Sequence, residues 1–221
     1  MKTTLYLGTD PTEFESQGDL IHYPVIKIVP RSLGAPEMKR AFDDLDEYTH
    51  LIFTSKNAVR IFFEHLTALQ RSVAELQSKC VIAIGRVTAA HLLAGGLAAA
   101  AVAPVETQEG VISLLNTMDL NNAYFFLPRS SISRPVLADF FHKRQLRYQA
   151  CDLYDTTTQA LSPKPDLEQV DEIIFTSPST VRAFVEIFGG IPKDKSCVAI
   201  GPVTELALQQ RYGVVGSVRA D

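Results

Sequence analysis

Two stretches of this chain carry nearly the same text: LIFTSKNAVRIFFEHL at positions 51–66 and IIFTSPSTVRAFVEIF at positions 173–188. At an offset of 122 residues, Ile52/Ile174, Phe53/Phe175, Thr54/Thr176, Ser55/Ser177, Val59/Val181, Arg60/Arg182, Phe62/Phe184 and Glu64/Glu186 are identical. Each copy opens with a short apolar run, the length of a strand buried on both faces. The period then changes. Val59, Phe62, Phe63 and Leu66 fall at i, i+3, i+4 and i+7, and Val181, Phe184, Val185 and Phe188 repeat the stripe. That spacing is one face of a helix packed on a sheet. Ser55 and Ser177 stand where an N-cap belongs, and Pro178 suits the first helical position. Gly189 and Gly190 follow the last apolar turn of the second copy, as a helix end requires.

Further strand–turn–helix units surround the repeat. CVIAIGRVTAAHLL begins at Cys80 and CVAIGPVTELAL at Cys197, each with a glycine turn (Gly85, Gly201) and a threonine in the first helical turn (Thr88, Thr204). AYFFLPRSSISRPVLADFFHKRQLRYQACDLY, from Ala123, reads strand, polar turn, helix, strand, with Leu137, Phe140 and Phe141 as its stripe. TTLYLGTDP supplies an opening strand. Alternating strands and helices with short turns predict an α/β fold of parallel sheets with helices on both faces. Because the pattern starts over, two similar doubly wound lobes are expected, joined by a two-stranded β hinge. HYPVIKIVPRS and YQACDLYDTTTQALSPKPD are the extended segments that cross between them. The first lobe is then discontinuous, residues 1–30 and 154–221, with residues 31–153 inserted as the second.

Bulk properties exclude several classes. The 221 residues are 46% hydrophobic and 21% charged with a formal net charge of −4, so neither nucleic acid nor an anionic membrane is an expected partner. Cys80, Cys151 and Cys197 each lie in a strand-like run without CxxC spacing, as reduced packing cysteines of a cytoplasmic protein do. The opening segment turns polar and acidic too soon for a signal peptide. No apolar run approaches the ~20 residues of a membrane helix.

Ligands of open parallel sheets bind beyond the carboxyl ends of strands. Four turns lie there: TSKN, IGRVT, TSPS and IGPVT. Each begins a helix, so each can offer backbone N–H groups, a favourable dipole and hydroxyl side chains to an anion. Ordinary helix capping is the competing reading. Two lobes lined by such turns would suit a flexible ligand with several separated carboxylates. Known catalytic sets are missing: no GxGxxG, no GxxxxGK[ST], no GxSxG and no metal-ligand spacing among His22, His50, His65, His91 and His142. His65 and His142 are expected at solvent or a helix edge. Asp43, Asp44, Asp46 and Glu47 read as a solvated helix end, and Lys143, Arg144 and Arg147 as a basic helix C-terminus.

In this order, IFTSKNAV, IAIGRVTA, FLPRSS, LYDT, IFTSPSTVRAF and AIGPVTELAL resemble the uroporphyrinogen-III synthases, over nearly the whole chain. The resemblance implies two α/β lobes on a β ladder and an enzyme that closes linear hydroxymethylbilane into uroporphyrinogen III, inverting the last pyrrole ring with loss of water. It implies no metal and no cofactor. The expected partner is that octacarboxylate substrate, for a cytoplasmic monomer that meets the hydroxymethylbilane-producing enzyme only transiently. By the same resemblance Thr88 and Thr204, Ser55 and Asn57, Ser177 and Ser179, and Arg129 bind substrate, and Tyr154 is catalytic. Two departures from the family pattern stand out. The first strand ends TDP, placing Asp10 where relatives carry a positive charge, and the stretch 12–18 is too short for their next helix. GSVRAD is also expected to stop before a last helix that relatives have.

Strand alternation around Tyr154 places it on the face of Asp152, opposite Leu153 and Asp155, which suggests a wet cleft. Its hydroxyl would assist loss of the substrate hydroxyl or steady the resulting cation; packing of the hinge is the alternative. Two other functions fit parts of the pattern. A non-catalytic two-lobed binding protein for an organic polyanion would share the turns. A nucleotide-dependent α/β enzyme is disfavoured by the single-glycine turns.

Overall fold

The computed structural model describes residues 1–12, 14–214 and 217–218, the last two by backbone alone. The chain forms two compact units: Met1–Lys27 with Thr156–Asp221, and Ile28–Asp155. The sequence reading put these crossings after residues 30 and 153.

Unit 1 opens with β1 (Thr3–Tyr6) and β2 (Asp19–His22), and β3 (Ile26–Pro30) leads out of it. Unit 2 runs α1 (Pro36–Asp43), β4 (His50–Phe53), α2 (Lys56–Ala68), β5 (Cys80–Ala83), α3 (Arg86–Ala94), β6 (Ala101–Val102), α4 (Gln108–Leu115), β7 (Tyr124–Ser130) and α5 (Val136–Lys143). β8 (Arg147–Thr158) leads back to β9 (Glu172–Phe175), α6 (Pro178–Phe188), β10 (Ser196–Ala199), α7 (Pro202–Tyr212) and β11 (Ser217–Val218). No helix among the described residues is long and apolar enough to cross a membrane.

In unit 2 the strand order is β3-β8-β7-β4-β5-β6. The pairs β8/β7, β7/β4, β4/β5 and β5/β6 are parallel. The middle strands are buried on both faces, which is why LIF and VIA read as continuous apolar runs rather than alternating ones. One face carries α1, α2 and α3 over Phe42, Tyr48, Phe53, Phe62 and Phe126. The other carries α4 and α5 over Ile52, Ile82, Phe125 and Phe141. Helices on both faces make this unit doubly wound. Each fully buried phenylalanine contributes about 2–3 kcal/mol relative to exposure, so these two layers dominate the stability of the unit.

The buried stripe of α2 differs from the expected one. Ile61 and His65 are buried with Val59, Phe62 and Leu66, and Phe63 is only half-buried. His65 is 7% exposed and packs edge-on against Phe42 at 5.6 Å, so its expected place at solvent or a helix edge is wrong. The stripe is wider than the four apolar positions because α1 covers a second flank of the helix. Arg147 is likewise not helical: it starts β8, its guanidinium 3.7 Å from the Tyr124 ring centre.

Unit 1 has the order β11-β10-β9-β1-β2, all pairs parallel. α6 and α7 pack on one face, against Leu5, Leu7, Ile173, Phe175 and Ala199. On the other face Tyr6, Ile174 and Val198 meet Phe14 from the β1–β2 connection. That connection contains no helix among the described residues, consistent with its length. Unit 1 is therefore wound on one face only among those residues, and the two units are less alike than the repeat suggested. Of GSVRAD, residues 216–221, only Ser217–Val218 are described, so the expectation about a further helix lies outside the described residues.

Candidate functional site

In unit 2 the chain leaves β4 toward β5 on one side while β7 lies on the other. The helix after β4 goes to one face and the helix after β7 to the opposite face. Such a switch point opens a crevice beyond the strand ends. Ser55, two residues past β4, and Ser130, the last residue of β7, stand at it.

Tyr154 reaches the same place through a bulge. Up to Asp152 the pairing is regular, with Pro128 opposite Cys151 and Arg129 opposite Asp152. Ser130 then pairs with Tyr154, so Leu153 is an extra residue. A bulge of this kind re-aims the side chains that follow. Leu153 and Tyr154 consequently point into the same core layer, and Tyr154 is on the face opposite Asp152. The alternation argument fails here because it presumes an unbroken ladder.

The phenol of Tyr154 is 4% exposed and lies 2.9 Å from Ser55 Oγ. Ser130 also hydrogen-bonds it. Burial raises the phenol pKa, an effect the two serines and Arg60 oppose, so the group remains a protonated donor through neutral pH. Ser55 Oγ meanwhile accepts Ala58 N–H at 3.0 Å, capping α2. Asn57 follows in the first turn, half-buried.

Arg129 is engaged. Its Nε donates to Asp152 at 2.8 Å, and Asp152 lies 3.8 Å from Arg31, which also forms a two-pronged pair with Asp155 at 3.0 and 2.8 Å. Arg31 holds the Asp155 carboxyl down at about 2. These two arginines and two aspartates balance one another, and Arg129 retains only its terminal nitrogens for a ligand.

The four turns turn out unequal. Ser177 caps α6 by accepting Thr180 N–H at 3.3 Å, and its hydroxyl meets that of Ser179 at 2.7 Å. Pro178 removes one donor from that turn, and Pro202 does so in the IGPVT turn. Thr204 is buried and its hydroxyl donates to Ile200 O at 3.4 Å. In the IGRVT turn Gly85 has no capping side chain, and Arg86 N–H is taken by Glu106 Oε1 at 2.9 Å. Thr88, in the same turn, is 5% exposed and its hydroxyl has no partner among the described residues. The four turns therefore offer unequal sets of donors: Ala58, Arg86 and Thr180 N–H already have side-chain acceptors, and Pro178 and Pro202 bring no N–H. Asp10, the family departure, accepts from Thr12 N at 2.9 Å and from the Thr12 hydroxyl.

The structure brings Ser55 together with Tyr154, and Ser177 with Ser179. Ser130 and Glu106 were not singled out from sequence. Ser130 sits in the FLPRSS motif beside Arg129 and was legible there. Nothing local pointed to Glu106, which lies 20 residues from its hydrogen-bond partner.

The class of the protein is an α/β one with hydroxyl side chains just beyond the ends of its parallel strands, where such sheets bind ligands. Comparison narrows the class. The family model for uroporphyrinogen-III synthase HemD matches residues 14–215. A uroporphyrinogen-III synthase of Chlorobaculum parvum is 24% identical over 178 residues, covering 76% of this chain and 72% of that one. A porphyrin biosynthesis protein HemD of Ruminiclostridium josui is 22% identical over 210 residues, 92% of this chain but only 40% of that longer protein. A crystal structure of mutant uroporphyrinogen III synthase from the extremely thermophilic bacterium Thermus thermophilus shares the fold, with TM-score 0.67 at 21% identity over 100% of this chain and 93% of that one. The chain belongs to the uroporphyrinogen-III synthase family, and its role is that of an enzyme of tetrapyrrole biosynthesis.

Proposed function

We propose that the chain closes hydroxymethylbilane to uroporphyrinogen III, and that Ser55, backed by Tyr154, is the donor at the leaving hydroxyl. The observation that carries this is the 2.9 Å link between Ser55 Oγ and the buried Tyr154 phenol at the switch point of unit 2. Ser55 Oγ has two lone pairs and one hydrogen. With Ala58 N–H on one lone pair and the Tyr154 proton on the other, its own hydrogen is left for a ligand. Ile132 N–H to Ser130 at 3.4 Å, Ser130 to Tyr154 and Tyr154 to Ser55 then form a chain of donors ending at the crevice. Each bond in such a chain polarises the next.

The chemistry needs no stronger acid. An electron-rich pyrrole pushes out its hydroxymethyl oxygen, which takes up a proton from solvent at the Ser55 hydroxyl and leaves as water; an azafulvene cation remains, and a proton returns to solvent when the closed ring regains its aromatic pyrroles. Attack by the substituted carbon of the last ring gives a spiro intermediate, and fragmentation with reclosure inverts that ring. Without guidance the bilane closes uninverted, so the protein's task is orientation and electrostatic support. Thr88, Asn57 and Arg129 in unit 2, and Ser177, Ser179 and Thr204 in unit 1, hold substrate carboxylates in this reading. The protein works as a cytoplasmic monomer, meeting the supplier of its substrate only transiently.

The test couples the purified chain to a hydroxymethylbilane-producing enzyme and separates the porphyrin isomers after oxidation. Excess type III isomer is expected. Type I alone, as from the uncatalysed closure, overturns the proposal.

A further inference from the structure

The amino end of α3 differs from the other three helix starts in what occupies it. Gly85 contributes no capping side chain, and its backbone is fully extended at φ −167°. The carboxylate that takes Arg86 N–H belongs to Glu106, an exposed residue in the loop between β6 and α4. The glycine admits it. A Cβ built on Gly85 would overlap both Cδ and Oε1 of Glu106, so the carboxylate rests where any side chain would stand.

Thr88 adds a second, independent sign that this turn is built for a ligand. It is nineteen-twentieths buried, yet its hydroxyl has no partner among the described residues. Side chains of the first helical turn lean toward the N-terminus, which aims the Thr88 hydroxyl at the turn. The corresponding hydroxyls elsewhere are matched: Thr180 donates to Ser177 O at 2.8 Å, and Thr204 to Ile200 O. The residue is buried as a whole, but its oxygen is not sealed from solvent, so a ligand acceptor can take the place of water there. Glu106, an acceptor, is close to the turn but bonds only the backbone.

We infer that Glu106 is a built-in competitor that sets ligand affinity: its carboxylate is an internal stand-in for a substrate carboxylate at the amino end of α3, and the substrate must displace it to engage Thr88 and Arg86 N–H. This rests on the reading of the Thr88 turn as a carboxylate seat. The exchange is of like for like, carboxylate for carboxylate, at one hydrogen bond. A small free anion gains little by it, because the tethered Glu106 competes at high effective concentration. A ligand anchored by several other carboxylates meets the same competition with its own tether. Glu106 thus lowers the apparent affinity of every ligand that uses the turn by the fraction of time it occupies it, and only a ligand anchored elsewhere as well binds tightly in spite of that loss.

The experiment measures binding of uroporphyrin III, with eight carboxylates, and of acetate, to the full chain and to the variants Glu106→Gln, Glu106→Ala and Thr88→Ala, together with KM and kcat for hydroxymethylbilane. Glu106→Gln keeps a carbonyl acceptor for Arg86 N–H and loses the charge, so folding is retained even if the alanine variant is unstable. Both Glu106 variants are expected to tighten uroporphyrin III by about 3- to 10-fold, to lower KM by a similar factor, and to let acetate compete at lower concentration. Thr88→Ala is expected to weaken uroporphyrin III. If Thr88→Ala weakens binding while Glu106→Gln does not tighten it, Glu106 is only a helix cap and the inference fails alone. If Thr88→Ala changes nothing and Glu106→Gln changes nothing, the turn is not a carboxylate seat and the inference falls with the reading beneath it.

Discussion

The phenol of Tyr154 and the hydroxyl of Ser55, 99 residues apart in sequence, stand 2.9 Å apart at the carboxyl end of the unit 2 sheet. A strand bulge makes the meeting geometrically available, and a helix cap holds the serine still to receive it. A hydroxyl that caps a helix has a fixed rotamer, so the second bond it makes has a defined direction.

Two variants should therefore be non-additive. Tyr154→Phe keeps the packing and removes the donor behind Ser55. Turnover is expected to fall by about 10²-fold, with a stability loss of about 1 kcal/mol. Ser55→Ala should give a similar fall in turnover plus the loss of a cap, about 1 kcal/mol. The double variant should be hardly slower than either single one, because both act through one bond. Steady-state rates and urea melts of all four proteins decide it; multiplying rate losses would mean that the two hydroxyls act separately. Ser55→Thr retains hydroxyl and cap and should stay active.

His65 gives a pH dependence to folding. Burial lowers its pKa below the ordinary value of about 6.5, with Glu64 acting weakly the other way. Its Nε2 is buried without a hydrogen-bond partner. The unfolded chain then takes up the proton more readily than the folded one, so stability declines as pH drops below about 6.5 and is unaffected by this group above it. His50, also lowered by burial, works in the same direction. His65→Phe should flatten part of the slope below about pH 6.5 in thermal melts. An unchanged slope would show that His65 titrates normally.

Acid should act on a second group of contacts. Arg134 holds Glu109 with two bonds, 2.6 and 2.8 Å, and brings the carboxyl down to about 2. A depressed carboxylate contributes stability above its unfolded value, and this is lost as pH falls toward about 2. The pair is largely exposed, so the contribution is small and screened by salt. Glu109→Gln should cost a small amount of stability at neutral pH and progressively less as pH falls from about 4.5 toward about 2, which makes the melting temperature less sensitive to acid. A loss in acid as large as the loss at neutral pH would count against this account.

The two glycine turns should respond differently to alanine. Gly201 has φ +89° and ψ 158°, a region that L side chains avoid, though nothing lies within 4 Å of a Cβ there. Gly201→Ala should lose about 1–3 kcal/mol through backbone strain alone. Gly85 is extended, and alanine there meets only the end of the flexible Glu106 side chain. Its loss in a urea melt should be well under that of Gly201→Ala; equal losses would contradict the strain argument.

Much of this was legible before any coordinates. The repeat at 51–66 and 173–188 predicted strand, serine cap and helix, and both Ser55 and Ser177 cap as expected. Pro178 and Gly189 fell at the ends of α6 as their backbone preferences require. These signals were readable because they are local: capping, glycine conformation and apolar period act over one or two turns of chain. The motif order also carried the family.

What remained hidden was decided by contacts between distant segments. The sequence of β8 contains no mark of the bulge at Leu153; only pairing with β7 forces one extra residue, and that residue turns Tyr154 away from Asp152 and onto Ser55. His65 looks like a surface histidine until α1 folds across α2. Arg129 looks like a free cation until Asp152 comes opposite it in register. Glu106 has no relation to Gly85 along the chain and meets it because the ends of β5 and β6 lie side by side. Local preference therefore settled which elements form and where they begin and end, whereas strand register and packing, which join residues far apart in the chain, settled which side chains share a site and what each one holds.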